Sequence, residues 1–272
     1  MTDTITVVVP TLNSVQTLEW TLFSLSTQQG CRATVIVADS GSTDGTLDLC
    51  RRYNVQIIYV PPGNMYRAIN AGIKSASNHW VTYLNSDDLV YPYSYARLIQ
   101  LAKETQSDIV YGSCDFVDWE GRFIHSYTPG HPYELLSQFL DSQLSFTQPA
   151  AIFTRQLFDE LGGFSEEYKL ASDLDFFLRA VLAKKHISML PGPTVACFRI
   201  HHKQSSQNIQ QICAETRRIQ NHFTYSKHFL RLDTFKWRIR NIPNYLIRIL
   251  RHWTLRGRLR IVRTMDAKND SY

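Results

Sequence analysis

The chain has 272 residues, 44% of them hydrophobic and 12% aromatic, enough to bury the core of one large folded domain and too apolar for a disordered protein. Its net charge of +5 is unevenly spread: residues 208–272 carry 14 Lys+Arg against 4 Asp+Glu, and the preceding 207 residues carry 15 against 20. Five scattered cysteines without a CxxC pair argue against a zinc site and a disulfide framework, and no apolar run reaches the roughly 18 residues of a membrane span.

In chain order, residues 5–9 form a near-continuous apolar run stopped by Pro10, the pattern of a strand covered on both faces. Residues 14–28 space Leu18, Leu22 and Leu25 along one helical side. Residues 34–38 read as a second buried strand, followed by a Ser/Gly-rich turn and a helix from about residue 43. Residues 55–60 read as a third strand, 66–75 as a helix and 80–84 as a fourth strand. Strands alternating with helices predict parallel pairing and a doubly wound sheet, whose ligands sit beyond the carboxyl ends of the strands. From residue 109 the pattern turns mixed: short strands at 109–111, 116–118 and 123–127, helices at 133–140, 155–161 and 172–183, and strands at 187–190 and 195–200. Beyond residue 206 the chain reads as helical and basic.

The strand ends are polar. The first gives Pro10-Thr11-Leu12-Asn13 and the second Asp39-Ser40-Gly41-Ser42-Thr43-Asp44-Gly45-Thr46. Helix capping explains Thr43 or Asp44. It does not explain Asp39, which follows directly on an apolar strand, where a carboxylate could accept from a nucleobase or ribose. The fourth strand gives Asn85-Ser86-Asp87-Asp88. Adjacent carboxylates repel each other, and a divalent cation relieves that; hard cations take oxygen ligands, often one or two carboxylates plus substrate phosphates. Asp and Ser also begin helices, so the pair gains its weight from standing at the last of four aligned strand ends.

The motifs Val8-Val9-Pro10-Thr11-Leu12-Asn13, Val37-Ala38-Asp39-Ser40-Gly41-Ser42-Thr43-Asp44-Gly45-Thr46, Ala68-Ile69-Asn70-Ala71-Gly72, Leu84-Asn85-Ser86-Asp87-Asp88, Leu161-Gly162-Gly163-Phe164 and Ser172-Asp173-Leu174-Asp175-Phe176-Phe177-Leu178-Arg179 occur in one order across roughly residues 4–206. Together they resemble the inverting family-2 glycosyltransferases of GT-A fold, in particular members of bacterial polysaccharide and colanic-acid type. The resemblance implies an α/β fold with a mostly parallel sheet flanked by helices and a C-terminal basic helical tail. It divides the chain into a catalytic domain at 1–207 and a basic amphipathic extension at 208–272. Within the catalytic domain, 1–112 would bind a nucleotide-sugar and 113–207 an acceptor.

The same resemblance implies roles. Pro10, Thr11, Asn13, Asp39, Ser42, Asn70 and Ser86 would bind the nucleotide-sugar, with Asp87 facing the donor and Asp88 directly on a Mn2+ or Mg2+ ion. Asp173 would be the general base, and it is equally a first-turn acid of its helix. His201 would contact the diphosphate or the metal, and Gln148 matches an acceptor-side position. Asn64 stands where the family has Gly, and Arg67 where it has Asp; Arg67 is either a phosphate contact or a solvated helix residue. Asp175 would pair with Arg179 at i+4.

The expected activity is inverting transfer of a hexosyl or related group from a UDP-, GDP- or dTDP-sugar to a glycan or lipid-linked acceptor, in polysaccharide or glycolipid biosynthesis. Two alternatives stand beside it: a catalytically degenerate nucleotide-binding or membrane-scaffold relative, and a sugar-nucleotide pyrophosphorylase, whose Gly-rich basic loop the Pro10–Asn13 stretch lacks. The start Met1-Thr2-Asp3-Thr4 does not look like a signal peptide, so a cytoplasmic protein is expected. Residues 229–263 interleave arginines with Trp237, Ile242, Leu246 and Trp253, which reads either as a peripheral contact with the inner face of a membrane or as a helix packed on the catalytic body. No nucleic-acid motif accompanies the charge.

Overall fold

The computed structural model describes residues 2–140, 145–202 and 204–223, and beyond these only the single positions Ile239, Ile242 and Leu246. Strand β1 (Asp3–Thr11) is the centre of the molecule. Its β-branched run suits a pleated surface, and alternate residues enter different cores: Ile5, Val7 and Val9 one, Val8 the other. Each fully buried valine or isoleucine contributes about 1.5–3 kcal/mol, which fixes β1 with both faces covered.

On one side β1 pairs in parallel with β2 (Cys31–Asp39), which pairs with β3 (Gln56–Tyr59). On the other side it pairs in parallel with β4 (Trp80–Tyr83). Helices α1 (Leu18–Ser26), α2 (Thr46–Arg52) and α3 (Met65–Lys74) make the crossovers. Gly72 lets α3 approach the sheet, because a Cβ there would stand 2.5 Å from Val8 Cγ1. After the two-residue strand β5 (Leu89–Val90), helix α4 (Ser94–Thr105) buries Tyr95, Leu98, Ile99 and Ala102 at helical spacing. The sequence reading has no helix there; Pro92 and the left-handed Tyr93 replace an ordinary cap and hide its start.

Among the described residues the main sheet has seven strands. Beyond β4 come β9 (Ala151–Thr154), then β6 (Ile109–Tyr111), then β10 (Ile187–Met189). β9 runs antiparallel to both neighbours, so the sheet is mixed on that side. A second sheet has the order β5, β11 (Ala196–Arg199), β7 (Cys114–Val117) and β8 (Phe123–Tyr127). Helices α5 (Leu135–Leu140), α6 (Arg155–Glu160), α7 (Ser172–Leu182) and α8 (Ile209–His222) complete the described fold. No described helix is long and apolar enough to cross a membrane. The basic amphipathic run at 229–263 lies outside the described residues except at Ile239, Ile242 and Leu246, which are helical and about half exposed.

Candidate active site

The carboxyl ends of β1, β2 and β4 open onto two adjoining cavities of about 440 and 370 Å3. Pro10, Met65, Ser86, Asp87 and Gln204 line both. The larger is bounded by the loop after β1, by Ser40, by the start of α3, and by Trp119 and His201. The smaller is bounded by Tyr66, Tyr83, Gln148 and Asp173, and by Phe116 and Phe198, a cross-strand pair of the second sheet.

The loop after β1 is clipped to the loop after β2. Asn13, in the left-handed conformation that Asn tolerates, donates its backbone N–H to Ser42 Oγ at 2.8 Å and accepts from the Thr43 N–H at 2.9 Å. Asp39 is fully buried, and its carboxylate accepts from Thr11 Oγ1, Ser42 Oγ and the N–H groups of Gly41 and Ser42. It therefore shapes the loop and lines neither cavity, and Ser42 is likewise a clip behind the cavity wall. Thr11, Asn13 and Ser14 do line the larger cavity, and Ser14 accepts from Ser86 Oγ at 2.9 Å.

The two acids after β4 diverge. Asp87 reaches the shared wall, and its Oδ2 lies 2.8 Å from His201 Nε2. His201 Nδ1 has no partner among the described residues, and the Trp119 and His201 rings pack edge to face with centroids 5.2 Å apart. Asp88 points the other way and is fully buried. Its Oδ1 accepts the Arg199 N–H at 3.0 Å, and its backbone carbonyl accepts Thr21 Oγ1. Burial, and then the charge of Asp87, push the Asp88 carboxyl well above the ordinary carboxylate range. The Arg199 side chain is also buried. Its guanidinium lies over Trp20 and donates to the Trp119 carbonyl, tying the hairpin tip that carries Trp119 to the acidic turn.

Among the described residues no three His, Cys, Asp or Glu side chains converge. A carboxylate and an imidazole on a cavity wall still fit a magnesium- or manganese-type ion, which fills its remaining positions with phosphate oxygens and water. Asp87 and His201 have that fit. Asp88, without cavity surface, does not.

Asp173 sits in the first turn of α7, on the wall of the smaller cavity. Its Oδ1 accepts the Leu174 N–H at 2.9 Å and the Tyr66 hydroxyl at 3.2 Å. Burial raises its carboxyl, against the lowering effect of those donors. Gln148 donates to the Tyr83 carbonyl at 2.6 Å, which leaves its buried Oε1 without a protein partner beside the same cavity. Asp175 turns away and pairs with Arg179 at 2.8 Å.

Two further residues expected at the donor lie elsewhere. Arg67 is half exposed and paired with Glu166. Asn70 is buried and both donates to and accepts from the Phe164 backbone, at 2.8 and 2.9 Å, which holds the turn after α6. Conversely the cavities take in Trp119, Tyr83, Phe116 and Phe198, which no sequence motif marks as site residues. Their one legible signal is aromatic residues in short strands and a hairpin turn, and core packing explains that equally well.

Residues 6–162 match the family model described as glycosyl transferase family 2. A PGL/p-HBAD biosynthesis glycosyltransferase of Mycobacterium tuberculosis is 28% identical over 186 residues, 64% of this chain and 68% of that protein. Glycosyltransferase GlyA of Streptococcus pneumoniae is 32% identical over 127 residues, 44% of this chain and only 18% of that protein. The succinoglycan biosynthesis protein ExoO of Rhizobium meliloti is 30% identical over 153 residues, 52% of this chain and 43% of that protein. Among solved structures, Staphylococcus aureus TarS 1–349 in complex with UDP-GlcNAc superposes with a TM-score of 0.62 at 24% identity, over 75% of this chain and 60% of that one. The mixed seven-stranded sheet, the polar strand ends and the match over more than half its length agree: the chain has a GT-A-type fold and belongs to glycosyl transferase family 2.

Proposed function

We propose that the chain transfers a glycosyl group, with inversion, from a nucleoside-diphosphate sugar to an acceptor hydroxyl. One observation carries the reading: Asp87 and Asp173 line the smaller cavity together, while Asp87 alone also lines the larger. A donor in the larger cavity and an acceptor in the smaller would then meet between a phosphate-side acid and a base. Two TarS structures, in complex with UDP-GlcNAc and with UDP, support a nucleotide-sugar donor.

Thr11, Asn13 and Ser14 offer the nucleoside neutral donors and acceptors, and Trp119 closes the opposite wall. Asp87 and His201 are the side chains that would hold Mn2+ or Mg2+. Bound there with the donor, such an ion would supply positive charge to the leaving diphosphate, and no protein acid would be needed. Asp173 takes the proton from the acceptor hydroxyl as it attacks the anomeric carbon from the face opposite the diphosphate. Its raised carboxyl makes it a stronger base than an exposed aspartate, and the Tyr66 hydroxyl fixes which oxygen faces the substrate. Gln148, on the wall of the same cavity, is the residue that would border the acceptor.

The relatives that act in succinoglycan and PGL/p-HBAD biosynthesis favour a glycan or lipid-linked acceptor. The charge of residues 208–272 favours a contact with the anionic inner face of a membrane. The test is a panel of UDP-, GDP- and dTDP-sugars with manganese, read as release of nucleoside diphosphate and as thermal stabilisation. One donor should be consumed, and only by protein with Asp173 intact. No consumption and no stabilisation by any of them overturns the proposal.

A further inference from the structure

Helix α7 starts without a side-chain N-cap; of its first N–H groups Leu174's is taken locally, by Asp173 Oδ1. Its N-cap is Ala171, whose methyl group cannot accept, and the Ser172 hydroxyl has no partner among the described residues. The N–H groups at a helix start need acceptors, and a buried start without them is costly. For the N–H groups of the N-cap and the two residues leading into it, the acceptor comes from α8, more than forty residues along the chain. The carboxylate of Glu215 receives the backbone N–H groups of Lys169 at 3.1 Å, Leu170 at 2.9 Å and Ala171 at 3.0 Å. Gln211, one turn earlier on α8, donates to the same carboxylate at 2.9 Å. Burial pushes the Glu215 carboxyl up, but the donors of Leu170, Gln211, Lys169 and Ala171 outweigh it and hold the group below the usual range. It is therefore an anion in a cradle of backbone donors, beside the positive end of α7.

The neighbours give this cradle its meaning. Leu170 lines the smaller cavity, and its carbonyl lies 3.3 Å from the Tyr66 hydroxyl that also reaches Asp173. Asp173 itself follows two residues after the last N–H held. On the same helix, Ile212 lines that cavity and Ile219 is fully buried in the core, so α8 is anchored rather than resting on the surface.

We propose that Glu215 is a positioning residue for Asp173: from α8 it holds the backbone of residues 169–171 and so sets where the carboxylate at the start of α7 stands in the cavity. The catalytic part of this inference rests on Asp173 being the base. Residue 215 lies outside the stretch 6–162 that the family model matches, so a segment beyond that stretch tunes the acceptor side. Asp87 lines the same cavity, Tyr66 from α3 hydrogen-bonds the Asp173 carboxyl, and Tyr83 from β4 and Glu215 from α8 act on it through their charge. Tyr66 lowers its titration, whereas the charge of Glu215 raises it.

The test is Glu215→Gln, with two readouts that need no substrate. Amide hydrogen exchange over residues 169–173 should accelerate about tenfold or more, because a neutral amide cannot accept all three N–H groups. The Asp173 carboxyl, followed by 13C NMR and assigned by its disappearance in Asp173→Asn, should titrate at lower pH in Glu215→Gln. A variant that folds and shows neither change overturns the proposal. If Glu215→Gln melts too low to titrate, Glu215→Asp keeps the charge but retracts it by one methylene; unchanged exchange at 169–173 in that variant also overturns it. Where a donor and acceptor turn over, Glu215→Gln should lower kcat roughly tenfold to a hundredfold, the scale of a displaced base, and move the acid limb of the rate profile downward. Full activity in Asp173→Asn would remove the base reading and leave the exchange and NMR results to judge Glu215 separately.

Discussion

Asp87 and His201 meet across 114 positions of sequence, Oδ2 to Nε2 at 2.8 Å, on a wall that Asp87 presents to both cavities. The adjacent acid, Asp88, has no surface at all. Two neighbours in one motif therefore hold different positions: one faces ligand, the other holds the turn.

That separation predicts opposite outcomes for the two acids. Asp87→Asn should abolish manganese-dependent stabilisation by a nucleoside diphosphate and lower turnover at least about a hundredfold, the range of a lost electrostatic contact to the reacting groups. Asp88→Asn keeps an oxygen for the Arg199 N–H and should retain metal-dependent stabilisation, with turnover within about tenfold of wild type. Thermal shift assays with UDP and manganese on both variants decide it. Loss of metal response in Asp88→Asn alone would return the ion to Asp88.

The Asp173 carboxyl predicts a pH profile. A general base works ionised, so turnover should rise with pH through its folded-state titration, above the value of about 3.9 for an exposed aspartate. Tyr66→Phe removes a donor to the ionised form; the limb should move to higher pH and the maximal rate fall several-fold. Because the folded value is raised, the stability contributed by Asp173 is present below its unfolded value and is lost as pH rises through the folded one. Asp173→Asn should therefore melt no lower than wild type at pH 8 while losing about 10²–10⁴ in rate. A large fall in melting temperature would mean that the charged form holds the fold.

Trp119 predicts a binding defect without a folding defect. It is 36% exposed at a hairpin tip, with an edge contact to His201 and a carbonyl that accepts from Arg199. Trp119→Ala should raise the donor KM about tenfold, the worth of a stacked aromatic group, and leave the melting temperature nearly unchanged. Equal KM values would place the donor away from this wall.

The charge of the C-terminal segment predicts salt-sensitive binding to vesicles containing anionic lipid. Basic residues near such a surface contribute about 1 kcal/mol each, and the effect is screened by salt. Co-sedimentation should be lost when the chain is cut after Phe223, a site that keeps Glu215 and Ile219 in place. Equal sedimentation of the cut form would sink the membrane reading.

The doubly wound half was legible because β1, β2 and β4 are apolar runs ending in polar residues and β3 is stopped by Pro61-Pro62-Gly63, and that pattern depends on neighbouring positions only. Thr11, Asn13, Ser86 and Asp87 reach the cavities for the same reason. What the sequence does not show is which partner captures a side chain from far away. Asp88 is turned inward by an N–H 111 residues on, and Arg67 is drawn off by Glu166, 99 residues on. The antiparallel insertion of β9 and the approach of α8 to α7 are long-range choices of the same kind, which no local period encodes.

Asn70 and Arg67 carry the last prediction, since the resemblance puts both at the donor and neither lines either of the two adjoining cavities. Asn70 satisfies the N–H and the carbonyl of Phe164 together, beside Gly163, whose positive φ and close approach to Asn70 Oδ1 leave no room for a Cβ. Asn70→Ala leaves two buried backbone groups unpaired, and at about 1–3 kcal/mol each this should lower the melting temperature by several degrees. The Phe164 ring stacks on Tyr66, the donor to Asp173, so the loss should reach kcat before it reaches the donor KM. Arg67→Ala breaks one exposed ion pair, worth at most about 1 kcal/mol, and should change neither stability nor donor KM measurably. A donor KM raised tenfold in Arg67→Ala, with the melting temperature unchanged, would show that the arginine leaves Glu166 for the donor phosphate when substrate binds.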